Sequence, residues 1–166
     1  MNNSVFETGY LGYTIEALSL FRSYKMDKPI TGGCLCKKIK FISTSKPIWI
    51  SVCHCRMCQK AYGNTSAIFV AFKKGSLEFI SGSPKFYQSS DIAKRGFCSE
   101  CGSPIIFIYD TLDAIFVGTL DDPENWQPNG CHLGIESQIP WDIIHDTLPQ
   151  YRTEDDPAFI QANTKL

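Results

Sequence analysis

Neither sign of charge accumulates in this chain: 16 Lys and Arg stand against 17 Asp and Glu, a formal net charge of −1 over 166 residues. With a pI near 6.3, it lacks the basic footprint that nucleic acid or an anionic membrane surface demands. The small group Lys37, Lys38 and Lys40 alternates with Ile39 and Phe41, the pattern of a strand with one solvated face. No apolar run approaches the ~20 residues of a membrane-spanning helix. The opening MNNSVFETGYLGYTIEALSLF has neither the basic start nor the small-residue cleavage site of a secretory signal. Internal repeats and low-complexity tracts are also missing. These absences make the cytoplasm the expected location and leave nucleic acid and membrane out of the expected partners.

What is present suits one folded domain. Hydrophobic residues at 43% and charged residues at 20% are ordinary for a globular chain. From about residue 38 the chain reads as short strands between turn residues: KIKFIS, SAIFVAF, SLEFIS, KFYQSS, PIIFIY, AIFVGTL and HLGIES. The turn signals Lys73-Lys74-Gly75 and Gly82-Ser83-Pro84 separate them, and the expectation is a mainly β fold. TIEALSLFRSY near the start has helical periodicity with Thr14 as N-cap, and PWDIIHDTLPQY has room for one helical turn before Pro149. The expected organisation is an N-terminal extension or misread start over residues 1–25, a compact domain over 26–155 opening at Met26, and a tail over 156–166.

The cysteines carry the chemistry. A reducing compartment disfavours disulfides, and seven of the eight cysteines fall into three ligand-spaced groups: Cys34-x-Cys36, Cys53-x-Cys55-x-x-Cys58 and Cys98-x-x-Cys101. Two thiolates separated by two residues can bite one metal at ~2.3 Å, and Gly102, directly after Cys101, permits the positive φ that tightens such a turn. Counting ligands favours one arrangement. Cys34, Cys36, Cys98 and Cys101 make a closed structural site, and Cys53, Cys55 and Cys58 are left as a site with an open position. The reverse pairing completes one site by starving the other. Cys131 reads as a buried free thiol.

Two alternatives stand beside the open site. His54 or His132 could close it as a second structural centre, although the local turn favours His54 pointing away. An iron–sulfur cluster fits the spacing poorly, and the zinc-deaminase signature is missing both its His-x-Glu and its Pro-Cys-x-x-Cys. An open zinc with three thiolates is a weak Lewis acid, ill suited to activating water. It suits an incoming thiol, held as thiolate near a neutral electrophile. Asp121 and Asp122 before Pro123 read as a turn, Trp126, Trp141 and Tyr151 as packing residues, and His132 and His145 receive no role.

The motifs GGCLC, CHCRMCQKAYG, KRGFCSECGSPI, GTLDDP and PWDIIHDTLPQY resemble, in order, those of the glutathione-dependent formaldehyde-activating enzyme family, which includes centromere protein V. The resemblance covers about residues 30–151. It implies a β-tent fold of antiparallel sheets clamped by zinc. It also implies structural zinc on Cys34, Cys36, Cys98 and Cys101, and a second, catalytic zinc on Cys53, Cys55 and Cys58, two per chain. The activity it implies is that of a carbon–sulfur lyase joining a thiol such as glutathione to formaldehyde, as S-(hydroxymethyl)glutathione. The other expectation kept is a non-catalytic, zinc-stabilised binding module for a protein partner. The fourth ligand of the second centre separates the two. Sequence alone identifies no glutathione pocket and no oligomeric state.

Overall fold

A computed structural model describes residues 26–109 and 112–156. The expected mainly β fold is borne out, in two sheets. The smaller holds β1 (Ile30–Gly33), β2 (Lys40–Ser43) and β5 (Glu78–Ser81), in the order β1-β2-β5. The larger has eight strands: β3 (Trp49–Cys53), β4 (Ala67–Lys73), β6 (Lys85–Ser90), β7 (Ala93–Phe97), β8 (Pro104–Tyr109), β9 (Leu112–Phe116), β10 (His132–Leu133) and β11 (Gln150–Tyr151). Its order is β11-β10-β3-β4-β9-β8-β7-β6. Pairing is antiparallel except at one edge, where β10 runs parallel to both β3 and β11. The sequence-predicted helix near the start lies outside the described residues.

The two-residue period of a strand sends alternate side chains to opposite faces, and at β4 and β9 both faces of the large sheet are covered. Val70 and Phe72 of β4, with Ile115 of β9, pack with Ile30 and Phe41 of the smaller sheet, and with Ile39 just before β2, in the main core. Their neighbours Phe69, Ala71, Ala114 and Phe116 belong to a second cluster with Cys58 and Tyr62. Those two come from α1 (Arg56–Tyr62), which lies on that face. This double coverage explains why SAIFVAF reads as a continuous apolar run rather than an alternating one. Lys37, Lys38 and Lys40 are exposed beside buried Ile39, as the alternation predicts.

Three local expectations need correction. AIFVGTL ends as a strand at Phe116, because Val117–Thr119 coils into a 3-10 turn whose Thr119 hydroxyl donates to the Phe116 carbonyl at 2.7 Å. HLGIES is a strand only through Leu133, since Gly134 turns the chain with φ 66°. PWDIIHDTLPQY forms no helical turn. Its one turn is closed by the Asp142 N–H donating to Ile139 O, and the chain then runs through a bend at Asp146, without regular structure, to β11.

Candidate metal centres

The first centre is built from two tight turns. After β1 the chain bends back at Cys34-Leu35-Cys36-Lys37, where the Lys37 N–H donates to Cys34 O at 2.9 Å and Lys37 itself takes φ 64°. After β7 the turn Cys98–Cys101 closes the same way: the Gly102 N–H donates to Cys98 O at 2.9 Å, with Gly102 at φ 74°. The positive φ expected for Gly102 is present, and Lys37 plays the matching part in the other turn at a steric cost glycine would not incur. The two turns meet so that the sulfurs of Cys34, Cys36, Cys98 and Cys101 all lie within 4.8 Å of one another. Cys34 and Cys36 are 3.4 Å apart, and Cys36 and Cys98 3.7 Å. Four sulfurs at ~2.3 Å from a shared tetrahedral centre are about 3.8 Å apart, so the donor set fits a metal ion. Ile39 N–H donates to Cys34 Sγ at 3.2 Å, and Ser103, 3.2 Å from Cys101 Sγ, holds that thiol down to about 6.

The second centre sits on the other face of the large sheet. Cys53 ends β3, Cys55 caps α1 and Cys58 lies one turn inside it; their sulfurs also fall within 4.8 Å of one another. The helix starts where it does because Cys55 Sγ accepts the Cys58 N–H at 3.4 Å, filling the place a serine cap would take. It stops at Gly63, whose φ of 61° and N–H to Gln59 O form a left-handed C-terminal cap. Cys55 is held down to about 2, first by the thiols of Cys53 and Cys58 and then by the backbone N–H groups of Cys58 and Met57. Cys53 is driven well up, first by the thiols of Cys55 and Cys58 and then by burial. Two cysteine clusters could therefore hold metal ions, with four donors in one and three in the other.

Neither histidine joins the three thiols among the described residues. His54 faces away, as expected, and meets His132: Nε2 to Nδ1 is 2.8 Å, and both rings are buried. His132 Nε2 lies 3.1 Å from Asp146 Oδ2, and Asp146 is half-exposed. With both rings neutral, the ionised Asp146 must accept from His132 Nε2. His132 Nδ1 then accepts from His54 Nε2, and His54 Nδ1 is left as a buried lone pair with no partner among the described residues. Burial lowers the His54 pKa, and His132 lowers it further. Gln59 ties this assembly to α1, donating to His54 O at 2.7 Å and Ser137 O at 2.8 Å. Gly134 passes so close that a Cβ there would stand 2.8 Å from Cys55 Cβ.

Sequence reasoning missed Arg95. It projects from β7 onto the helix-covered face, nearly buried at 8% exposure, and its guanidinium stands between the rings of Tyr62 and Phe107, 5.0 and 4.8 Å from their centroids. Nη1 donates to the Tyr62 hydroxyl and Nη2 to Cys58 Sγ at 3.8 Å. Burial alone would press Arg95 toward neutrality, but Tyr62 and Cys58 outweigh it and raise its pKa. A hollow of about 470 Å³ opens beside it, walled by Met57, Lys60, Tyr62, Tyr87, Arg95 and Pro104. A larger cleft of about 980 Å³ runs past Gly33, Leu35, Tyr62, Asn64, Phe116 and Thr119, and none of the three clustered cysteines lines it. His145 and Trp141 are exposed, Tyr151 lies in β11, Trp126 is buried in the main core, and Cys131 is buried beside Ser51. Asp121 accepts from the Thr31 hydroxyl, while Asp122 opens a 3-10 turn and accepts from Trp126 Nε1.

Residues 29–134 match the family model described as glutathione-dependent formaldehyde-activating enzyme. The chain belongs to that family. A Schizosaccharomyces pombe protein described as an uncharacterized lyase is 33% identical over 78 residues, 47% of this chain and 56% of that protein's own length. The chain thus matches little more than half of that relative. A crystal structure of a Rhodobacter sphaeroides protein superposes with a TM-score of 0.46 at 21% identity, over 55% of this chain and 87% of the other. Among the described residues no helix is long and apolar enough to cross a membrane.

Proposed function

We propose that the protein is a zinc-dependent enzyme of the carbon–sulfur lyase type, acting on the adduct of a glutathione-like thiol with a small aldehyde such as formaldehyde. The observation that carries this reading is the three-thiol cluster with no fourth protein donor among the described residues. The family membership and the relative described as a lyase support it. Cys53, Cys55 and Cys58 would hold a catalytic zinc, and Cys34, Cys36, Cys98 and Cys101 a structural one. Bound by three thiolates, zinc supplies a soft exchangeable position at which an incoming thiol is favoured over water. The residues of the chain do the rest. Cys58 is steered by Arg95, Cys55 is fixed by the start of α1, and Cys53 by the end of β3, so the open side is set by the fold. Arg95, which touches Cys58 Sγ, also lines the adjacent hollow.

In the forward direction the thiolate sulfur gives its electron pair to the carbonyl carbon. The C–S bond forms, the carbonyl π pair moves to oxygen, and a proton taken up there completes the hydroxymethyl thioether. Cleavage is the reverse. X-ray absorption at the zinc edge, with metal content per chain, tests the reading. Two zinc ions, one exchanging a light-atom ligand for sulfur when glutathione is added, is the expected result. An unchanged first shell would defeat the reading and favour a binding module presenting this surface to a protein partner.

A further inference from the structure

Among the described residues, Arg95 is a buried permanent cation without an acidic partner. No carboxylate there forms an ion pair with it, and an arginine does not shed its proton in proteins. Its Nε is buried and makes no hydrogen bond among the described residues. A lone buried cation is costly unless a negative charge answers it. The faces of Tyr62 and Phe107 answer it in part, through their ring quadrupoles. The remaining neighbour is Cys58 Sγ, one of three thiols that carry a net negative charge when they share a divalent ion.

We propose that Arg95 is the fixed countercharge of the three-cysteine centre and the residue that lets it accept an anionic fourth ligand, a thiolate, in place of water. This deepens the function proposed above and rests on it for the identity of the ligand. With a divalent zinc on three thiolates the centre would bear one net negative charge, and a thiolate ligand would add a second beside the helix α1. Arg95 touches the cluster through Cys58 while also standing in the wall of a hollow of about 470 Å³. Lys60, exposed on the same wall, adds to the positive field. Arg95 is a positioning residue here: it touches a ligand-bearing side chain and sets the charge of the site, with no part in bond making.

The test compares wild type with Arg95→Lys and Arg95→Met. Zinc affinity of the weaker site is read by competition with a chromophoric chelator, and thiol affinity by the sulfur-to-cobalt absorption of cobalt-loaded protein titrated with glutathione. Arg95→Met should weaken both by tenfold or more and leave the tighter zinc in place. Arg95→Lys, which keeps the charge but not the planar fork, should recover most of the loss. A melting-temperature change in Arg95→Met with both affinities unchanged would overturn the proposal, as would equal losses in the Lys and Met variants. Should Arg95→Met fail to fold, Tyr62→Phe replaces it. That change frees one guanidinium arm and keeps the charge, so unchanged affinities support the countercharge role and a tenfold loss overturns it. If wild type itself gives no thiol band, the enzyme reading fails, and the zinc affinities of the variants alone decide for or against Arg95.

Discussion

The two centres should differ sharply in what their loss does, and the comparison of Cys101→Ser with Cys55→Ser makes the difference measurable. The four-sulfur cluster joins the turn after β1, in the small sheet, to the turn after β7, in the large one. Other direct ties between these turns are few: the Leu35 N–H donates to the Ser103 hydroxyl at 3.1 Å, and Lys38 pairs with Glu100 on the exposed surface, where water screens it. Cys34 and Cys98 are themselves part of the main core, at 6% and 1% exposure. Structural zinc contributes ~10–16 kcal/mol in small metal-dependent domains, against about 5–15 kcal/mol for the whole stability of a typical one. Losing even half of the metal contribution, roughly 5–8 kcal/mol, removes from about a third to all of that margin. The three-thiol cluster instead rests on a helix and strands already packed by Phe69, Ala71 and Phe116. Zinc per chain, near-UV circular dichroism and urea titration read the outcome. Cys101→Ser is expected to lose the cooperative transition, while Cys55→Ser keeps it and retains one zinc. Equal collapse of both variants would refute the division into structural and open centres.

Further outcomes follow from the same geometry. Gly134→Ala puts a Cβ 2.8 Å from both Cys55 Cβ and Cys55 N, at a φ of 66°, so the loop must shift and Cys55 with it; zinc content should fall from two per chain to one with the fold kept. His132→Phe leaves His54 Nε2 buried without a partner and should cost about 1–3 kcal/mol in urea titration, whereas Asp146→Asn, at a half-exposed position, should cost less. Asp122 is subject to burial, which raises its pKa, but hydrogen bonds from Trp126 and Asn125 and the pairing with Lys28 outweigh that and hold it below the ordinary value. Its contribution is therefore present above an unfolded-state pKa of ~3.9 and lost as pH falls through the lower folded value. The gap in melting temperature between wild type and Asp122→Asn should accordingly narrow from pH 5 to about pH 3; a constant gap would contradict it.

What was legible in the sequence is what chemistry writes locally. KFYQSS and PIIFIY coincide with β6 and β8 residue for residue, because apolar and β-branched residues lie between clear turn signals. The three cysteine groups announce themselves by spacing, since a bidentate bite needs only a few consecutive residues. β7 (Ala93–Phe97) escaped notice, as a charged, glycine-bearing AKRGF has no strand pattern of its own; pairing with β6 on one side and β8 on the other makes it a strand. β3 was hidden by the cysteine group it leads into. AIFVGTL and HLGIES were read too long because each contains a glycine where the chain turns.

The surroundings of the second centre were beyond the reach of any local signal. His54 finds His132 at a separation of 78 residues, and Arg95 finds Cys58 at 37 and Tyr62 at 33. These contacts come from topology: parallel pairing of β10 with β3 sets Leu133 beside Cys53, and β7 carries Arg95 opposite Phe107 on the face that α1 covers. The division has a physical root. Each cysteine group is a short stretch that carries its own ligand spacing, whereas the charge and hydrogen bonds around the second centre come from distant strands. Family motifs that share the cysteines can therefore share the metal while differing in chemistry. The residues to compare across such proteins are those standing where Arg95, Tyr62 and the His54–His132–Asp146 chain stand here.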